Sequence, residues 1–224
     1  SLVLTDEYDD VVHVTLNRPS QLNALSPDLL HEFITVAERL AQHHAKLVTF
    51  QGSGQAFSAG ADLPAFLQGM AGPDAAAIAD IGRRAADALA ALPQVTVAMI
   101  DGPCIGGGLV LAICCDLRWA SSRSTFCLPE VKLGFPVGWG GTHRLSSVIG
   151  ASATKHLTLE CETLSAQQAH SLGLIHRHFQ DNFHEGAQEA LGKLTPTPAS
   201  TLRYTKSQFH AIETGSFDAD RDAE

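Results

Sequence analysis

Apolar and polar residues follow one another along the chain in a pattern that predicts strands and helices in turn. A run of β-branched residues at 11–16 predicts a first strand, with a hairpin as one option, and residues 47–50 and 95–100 predict two buried strands. Apolar residues recur at helical spacing over 26–43 and again over 74–92, so a helix is expected before each buried strand. This β–α–β order favours an α/β sheet.

The second half of the chain becomes progressively helical. A glycine-rich segment leads into a short buried helix at 109–115, which two short strands near 117–120 and 124–128 follow. Helical spacing then dominates. We therefore predict a sheet core over residues 1–140 and a helical region over residues 141–224, both within one structural domain.

Composition and charge exclude several classes of protein. The 224 residues are 45% hydrophobic, which is enough for a substantial core. Fifteen Lys and Arg against 24 Asp and Glu give a net charge of −9, so we expect neither a nucleic-acid partner nor a membrane partner. Charged residues are only 17%, which indicates surface hidden between subunits. The longest apolar stretch is too short to span a bilayer, and with no signal peptide at its start the chain is expected in the cytoplasm.

Cysteine and histidine placement argues against a disulfide framework and against a metal site. The chain has five cysteines, Cys114 and Cys115 are adjacent, and there is no CxxC pair. All five are expected to be reduced and mostly buried. Adjacent histidines such as His43 and His44 rarely face one ion, and no acidic cluster is expected to join them, so no metal is predicted.

Two strands are each followed by a glycine-rich turn that opens toward a helix. The first turn is Ala59-Gly60-Ala61-Asp62 and the second is Gly106-Gly107-Gly108. Glycine permits positive φ and has no Cβ to block a ligand, so each turn could bring a backbone N–H group to one carbonyl oxygen. The pair would then form an oxyanion hole. Ordinary strand-to-helix turns and a phosphate cradle stay open as alternatives, although neither GxGxxG nor GxxxxGK[ST] is present.

Six groups of motifs, in order, resemble those of one enzyme family. They are Asn17-Arg18-Pro19 with Asn23-Ala24-Leu25, Phe57-Ser58-Ala59-Gly60-Ala61-Asp62-Leu63, Asp101-Gly102 through Gly106-Gly107-Gly108, Cys115-Asp116-Leu117-Arg118, Leu128-Pro129-Glu130 with Leu133-Gly134, and Gly140-Gly141-Thr142-His143-Arg144-Leu145. On these motifs the sequence resembles the crotonase superfamily, the enoyl-CoA hydratases and isomerases, over nearly the whole chain.

The resemblance implies a fold, an assembly and a ligand class. It implies a spiral of β–β–α units with a C-terminal helical trimerisation region, in a homotrimer or a hexamer of two trimers. The implied substrate is an acyl-CoA thioester, with coenzyme A as part of the substrate and no tightly bound cofactor. In that family, backbone N–H groups at the positions matching Ala61 and Gly107 hold the thioester oxygen, which agrees with the donor argument above.

The resemblance also implies which residues contact the coenzyme A and acyl parts of the substrate. Arg18 is expected either to face a phosphate or to be solvated, Asp62 to cap a helix, and Trp139 either to narrow the acyl channel or to pack. The full set of candidate binding residues is Arg18, Leu22, Ala24, Ala59, Gly60, Asp62, Leu63, Val110, Pro129, Gly138 and Trp139.

One departure from the family's hydratases decides the expected reaction. Hydratases use two glutamates; one matches Glu130, which by spacing alone could be a surface carboxylate, but Val110 stands at the other. Adding water needs a base for the water and an acid for the α-carbon. One carboxylate suffices to move a proton from C2 to C4 of a 3-enoyl thioester, as in the family's Δ3,Δ2-enoyl-CoA isomerases. Gly138 stands where dienoyl-CoA isomerases carry an aspartate, which disfavours that chemistry.

Isomerisation of an enoyl-CoA with Glu130 as proton shuttle is therefore the leading hypothesis. Hydration, or another enolate reaction such as decarboxylation, is the nearest alternative, because an oxyanion hole serves all of them. A third hypothesis is an acyl-CoA-binding protein with weak catalysis. Crotonase-family chains usually continue past the point that matches residues 218–224, so we expect either a short tail or a sequence that omits the last segment.

Overall fold

Six strands form the main sheet of the computed structural model, which describes residues 1–218. They are β1 (Val3–Tyr8), β2 (Val11–Leu16), β3 (Leu47–Gly52), β4 (Val95–Ile100), β6 (Leu117–Ser121) and β9 (Arg177–Phe179), in the order β1-β2-β3-β4-β6-β9. β1 and β2 pair antiparallel as a hairpin, and every other neighbouring pair is parallel. The predicted α/β sheet and the optional hairpin are both confirmed.

A second sheet of three short strands lies beside the first. It contains β5 (Pro103–Ile105), β7 (Thr125–Cys127) and β8 (Leu164–Ser165), with β5 and β7 parallel and β7 and β8 antiparallel. The sequence predicts β7 but not β5, which lies between Gly102 and Gly106 in the segment that the sequence pattern assigns to a glycine-rich turn. β5 matters for the site because it ends directly before Gly106.

Within residues 1–218, eight helices complete the fold. They are α1 (Pro27–Ala41), α2 (Leu63–Met70), α3 (Ala75–Ala90), α4 (Gly107–Ile113), α5 (Gly141–Glu160), α6 (Ala166–Ser171), α7 (Phe183–Gly192) and α8 (Ala199–Glu213). The Ser26 hydroxyl caps α1 by accepting a hydrogen bond from Leu29 N, and the α1 helix predicted to about residue 43 ends two residues earlier. A bend at Gly150 interrupts α5.

The hydrophobic core lies between the main sheet and helices α1, α3 and α4. α1 packs against α3 through apolar positions such as Phe33 and Leu89, which are almost fully buried. Every residue of α4 is buried, so this helix runs through the core. Because the N-terminus of α4 is anchored in this way, the backbone groups of its first turn have fixed positions.

The region after residue 140 is not wholly helical, contrary to the prediction. It supplies β8 to the second sheet and β9 to the edge of the main sheet, next to β6. Its last described helix, α8, buries no residue and is held instead by Lys206, whose Nζ lies 2.8 Å from Asp116 Oδ2 and 2.8 Å from Gln94 O. Residues 219–224, which the expectation of a short tail concerns, lie outside the described residues.

Two further expectations concern thiols and membrane spans. All five cysteines are free, and four of them are buried, as the sequence predicts. Burial raises the pKa of Cys114 to about 12, so this thiol stays protonated at neutral pH. Across residues 1–218, no helix combines the length and the apolar character that crossing a bilayer requires.

Candidate active site

The two glycine-rich turns lie side by side. Ser58, just before the first turn, pairs with β5 through Ser58 N to Pro103 O at 3.1 Å and Ile105 N to Ser58 O at 2.9 Å. A Cβ built on Gly60 would lie 2.9 Å from Ile105 O and 3.6 Å from Gly106 Cα. The turns can approach this closely only because both positions are glycine, and both have positive φ.

The two predicted oxyanion donors have no hydrogen-bond acceptor among residues 1–218. Leu25 N donates to Gly60 O and Asp62 N donates to Leu25 O, and this parallel bridge leaves the N–H of Ala61 without an acceptor. Gly107 is the first residue of α4, so its N–H has no acceptor within the helix. Within residues 1–218, neither N–H donates a hydrogen bond. Two unpaired donors therefore lie on adjacent turns.

Glu130 places a carboxyl group against these turns. It begins a 3₁₀ turn, Glu130–Leu133, directly after Pro129, and a Cβ built on Gly106 would lie 2.8 Å from Glu130 Oε1. Its other oxygen, Oε2, is buried and has no hydrogen-bond partner among the described residues. Burial raises the pKa of Glu130, and a backbone hydrogen bond partly opposes this shift. The group is therefore a stronger base than an exposed glutamate.

Val110 and Trp139 are apolar residues that pack around the first turns of α4. Val110 is 2% exposed, and its side chain fills the space that the missing Cβ of Gly141 leaves. The half-buried Trp139 indole lies between two glycines, Gly82 and Gly107, at each of which an added Cβ would overlap the ring. The packing interpretation of Trp139 is thus confirmed, and its effect on the acyl channel stays a prediction.

Arg18 and Asp62 form an ion pair at the entrance to the first turn. Arg18 Nη1 lies 2.9 Å from Asp62 Oδ2, both side chains are 17% exposed, and Arg18 also donates to the carbonyl of Ala24. Asp62 caps α2 through Ala65 N, as expected. Arg18 is therefore not the solvated side chain of the alternative interpretation. A phosphate contact stays a prediction.

The remaining candidate residues fall into three groups. Leu22 and Leu63 are partly exposed apolar residues on the chain segments that flank the first turn. Gly138 is open, since a Cβ there would meet no heavy atom of the described residues within 4 Å. Ala59, whose N–H donates to Leu22 O, and Pro129 are backbone neighbours of the reactive groups. Their contacts with a substrate stay predictions.

Sequence reasoning missed one residue and misjudged one cluster. The side chain of Asn23, a fully buried residue at φ +55°, hydrogen-bonds to the backbone of three residues on two chain segments. A polar residue within an otherwise apolar motif is the signal that could have revealed it. Contrary to the expectation that no acidic group joins the histidine pair, Glu7 Oε1 lies 3.2 Å from His43 Nε2 and 3.7 Å from His44 Nε2. His43 Nδ1 accepts from Ala45 N, so the proton of this ring lies on Nε2, the nitrogen that faces Glu7; this favours a hydrogen bond to the carboxylate over a metal site, which would need a bare Nε2.

Comparisons with known proteins agree with the fold and the motifs. The family model described as enoyl-CoA hydratase/isomerase matches residues 6–224. The crotonyl-CoA hydratase of Syntrophomonas wolfei is 32% identical over 180 residues, which cover 80% of this chain and 69% of that protein. The enoyl-CoA isomerase/hydratase fer4 of Mycosarcoma maydis is 33% identical over 216 residues, which cover 89% of this chain and 77% of that protein.

A solved structure extends the agreement to three dimensions. The crystal structure of an enoyl-CoA hydratase from Bacillus anthracis matches with a TM-score of 0.88 at 30% identity, covering 94% of this chain and 83% of that one. The fold and the site thus define an α/β enzyme in which two free backbone donors lie beside one half-buried carboxyl group. The chain belongs to the enoyl-CoA hydratase/isomerase family, as its motifs predicted.

Proposed function

We propose that the protein binds an enoyl-CoA thioester and moves its double bond, with Glu130 as the single proton carrier. The observation that carries this proposal is the Glu130 carboxyl group, which lies against the Gly106 turn, with Oε2 buried and without a hydrogen-bond partner among residues 1–218. A carboxylate without a partner beside free backbone donors can accept a proton from a bound substrate. Coenzyme A is then part of the substrate, and the reaction uses no other cofactor and no metal.

The backbone donors stabilise the charge that forms during the reaction. Loss of a proton from C2 of a 3-enoyl thioester moves negative charge onto the thioester oxygen. The N–H groups of Ala61 and Gly107 bind this oxygen, and they need no rearrangement because their turns are fixed by the core helix α4 and by β5. Loss of one such donor typically lowers the rate on the order of 10²–10³-fold.

Glu130 makes both proton transfers, the removal from C2 and the delivery to C4. The carboxylate removes the proton from C2, and the electron pair of that C–H bond spreads over the dienolate from C4 to the thioester oxygen. The same carboxyl group then gives the proton to C4, which leaves the double bond between C2 and C3 and returns Glu130 to its ionised form. The reaction has no net proton change. Burial moves the pKa of Glu130 toward neutral pH, which favours both proton transfers.

Hydration of a 2-enoyl-CoA is the second candidate, because relatives such as the crotonyl-CoA hydratase carry that name. It requires Glu130 alone to activate the water and to protonate C2, since the fully apolar Val110 stands where the family's hydratases have the other glutamate. The two candidates differ in the substrate that is consumed. Isomerisation consumes a 3-enoyl-CoA, whereas hydration consumes the conjugated 2-enoyl-CoA.

The experiment mixes the protein with a 3-enoyl-CoA and follows the absorbance of the conjugated 2-enoyl thioester. We expect enzyme-dependent conjugation that Glu130→Gln abolishes. Calorimetric titration with the same thioester measures binding separately. Tight binding without conjugation would contradict the isomerase proposal and would support an acyl-CoA-binding protein or another enolate reaction.

The proposal includes self-association into a trimer or a hexamer of two trimers. α8 exposes Phe209 by 62% and Ile212 by 57%, and their spacing of three residues places both on one face of the helix. Sedimentation velocity should give a multiple of three chains, and Phe209→Ser should weaken the assembly while Tyr8→Ser, at an exposed aromatic residue on β1, should not. A monomer at micromolar concentration would contradict this part of the proposal.

A further inference from the structure

Ser58 is a fully buried serine whose hydroxyl group joins two loops. Its Oγ donates a hydrogen bond to Asn23 O at 2.8 Å and accepts one from Gly60 N at 3.1 Å. Gly60 directly precedes Ala61, the first of the two backbone donors. The hydroxyl thus fixes the first glycine turn by the residue next to its donor.

Ser58 also contacts the second glycine turn. Its backbone pairs with β5, which ends directly before Gly106, and a Cβ built on Gly108 would lie 2.7 Å from Ser58 Cβ. Gly108 directly follows Gly107, the second backbone donor. A single side chain therefore lies between the two donor turns and touches a neighbour of each donor.

Asn23 holds the other end of this arrangement. Its Nδ2 donates to Ser53 O at 2.9 Å and to Ala56 O at 2.8 Å, and its Oδ1 accepts from Arg18 N at 2.9 Å. Three hydrogen bonds to two chain segments therefore hold Asn23, so the backbone carbonyl oxygen that accepts the hydrogen bond from the Ser58 hydroxyl has a fixed position. The Ser58 hydroxyl connects this fixed point to Gly60.

We propose that Ser58 is a positioning residue that sets the distance and orientation of the Ala61 donor relative to the Gly107 donor. It does not touch the substrate. This inference rests on the proposed function, because it assigns Ser58 a part in stabilising the enolate oxygen. Only a side chain that both donates and accepts can make the two hydrogen bonds, and alanine at this position would leave Asn23 O and Gly60 N without those bonds. The turn would then shift, and oxyanion donors lose most of their effect when displaced.

The test compares Ser58→Ala with Ser124→Ala. Ser124 is a matched control, since it is also buried and its hydroxyl also joins a carbonyl, Ile100 O at 2.8 Å, to a glycine N–H, Gly102 N at 3.4 Å. We expect Ser58→Ala to lower kcat about 10- to 100-fold with KM changed less than about 3-fold, because the donors act mainly on the transition state. Ser58→Cys keeps a weak donor and acceptor and should be intermediate. Ser124→Ala should leave both constants near those of the wild type.

Amide hydrogen exchange gives a readout that does not depend on activity. Exchange over residues 59–61 should accelerate in Ser58→Ala and not in Ser124→Ala, because Gly60 N loses its acceptor only in the first variant. If the wild type is active and Ser58→Ala loses no more kcat than Ser124→Ala, the inference is overturned. If the wild type converts no enoyl-CoA, the proposed function fails, and unchanged exchange over residues 59–61 would overturn the positioning role as well.

Discussion

The Glu130 carboxyl group occupies the space that the absent side chain of Gly106 leaves open. A Cβ at Gly106 would lie 2.8 Å from Glu130 Oε1, closer than a Cβ can approach an oxygen without displacing it. The proposed base and the turn that precedes the Gly107 donor are therefore in contact. This contact constrains the distance between the proposed base and the proposed donors to the enolate oxygen.

Gly106→Ala should displace Glu130 and lower kcat about 100-fold, the scale expected for a displacement of about 1 Å in a catalytic group. Gly173→Ala is the control, because Gly173 also has positive φ but has no described heavy atom within 4 Å of its Cβ position. Steady-state kinetics and circular dichroism of both variants check this. A folded Gly106→Ala protein with wild-type kcat would contradict the contact's role.

Arg18→Gln should weaken acyl-CoA binding if Arg18 contacts a phosphate as well as Asp62. We expect KM for an acyl-CoA to rise about 10-fold, since a charge-assisted hydrogen bond contributes about 1.5 kcal/mol or more. KM for the matching acyl-pantetheine, which lacks the phosphates, should not change. Arg83→Gln, at an exposed ion pair on α3, is the control. Equal losses for both substrates would indicate that Arg18 acts only by holding Asp62 and the first turn.

Val110→Glu should introduce the second carboxyl group that hydration needs. The ratio of hydration to isomerisation should rise at least about 10-fold, because a second acid–base group typically contributes 10²–10⁴-fold to a proton transfer. Burying a carboxyl group at a 2% exposed position will also lower stability. Product analysis after reaction with a 2-enoyl-CoA measures the ratio, and Val110→Gln controls for size. A folded Val110→Glu protein with an unchanged ratio would refute the interpretation that Val110, in place of a second glutamate, disfavours hydration.

Glu130 should make the protein less stable as the pH rises. Its folded-state pKa is raised above the ordinary 4.5, so between these two values the folded state binds more protons than the unfolded state. Stability therefore falls as the pH rises through this window, and the loss persists above it. Glu130→Gln should be more stable than the wild type at pH 7, and the difference should disappear below about pH 4.5.

Urea unfolding between pH 4 and pH 8 measures this difference. Glu189→Gln is the control, since Glu189 is exposed and its pKa is lowered by Lys193, so its removal should not stabilise the protein at pH 7. If Glu130→Gln is no more stable than the wild type at any pH, the Glu130 carboxyl group is not held in a desolvated site.

The parts of the fold that the sequence predicted are those with long apolar patterns. α1 and α3 each have a buried apolar stripe, and β2, β3 and β4 are compact apolar runs. α2 buries only Phe66, so it lacks a stripe, although the cap at Asp62 was expected. β9 has three residues, and its place in the sheet comes from pairing with β6, more than 50 residues earlier, which no local pattern reveals.

The candidate site also has parts that the sequence predicts and parts that it does not. Both glycine turns were predictable, because glycine at a strand-to-helix turn indicates an unusual backbone conformation, and the family motifs identified Glu130. The part played by Ser58 was not predictable, since its hydroxyl pairs with a carbonyl 35 residues away in sequence. The Arg18–Asp62 ion pair joins residues 44 apart and was missed for the same reason.

The most direct test of the central claim compares two substrates on the same enzyme. We predict that kcat/KM for a 3-enoyl-CoA exceeds that for hydration of the matching 2-enoyl-CoA at least about 100-fold, because one carboxylate suffices for the first reaction, whereas the second needs both a base and an acid. Glu130→Gln should lower the first value about 10²- to 10⁴-fold while thioester binding persists. Faster hydration than isomerisation, or an active Glu130→Gln variant, would contradict the account.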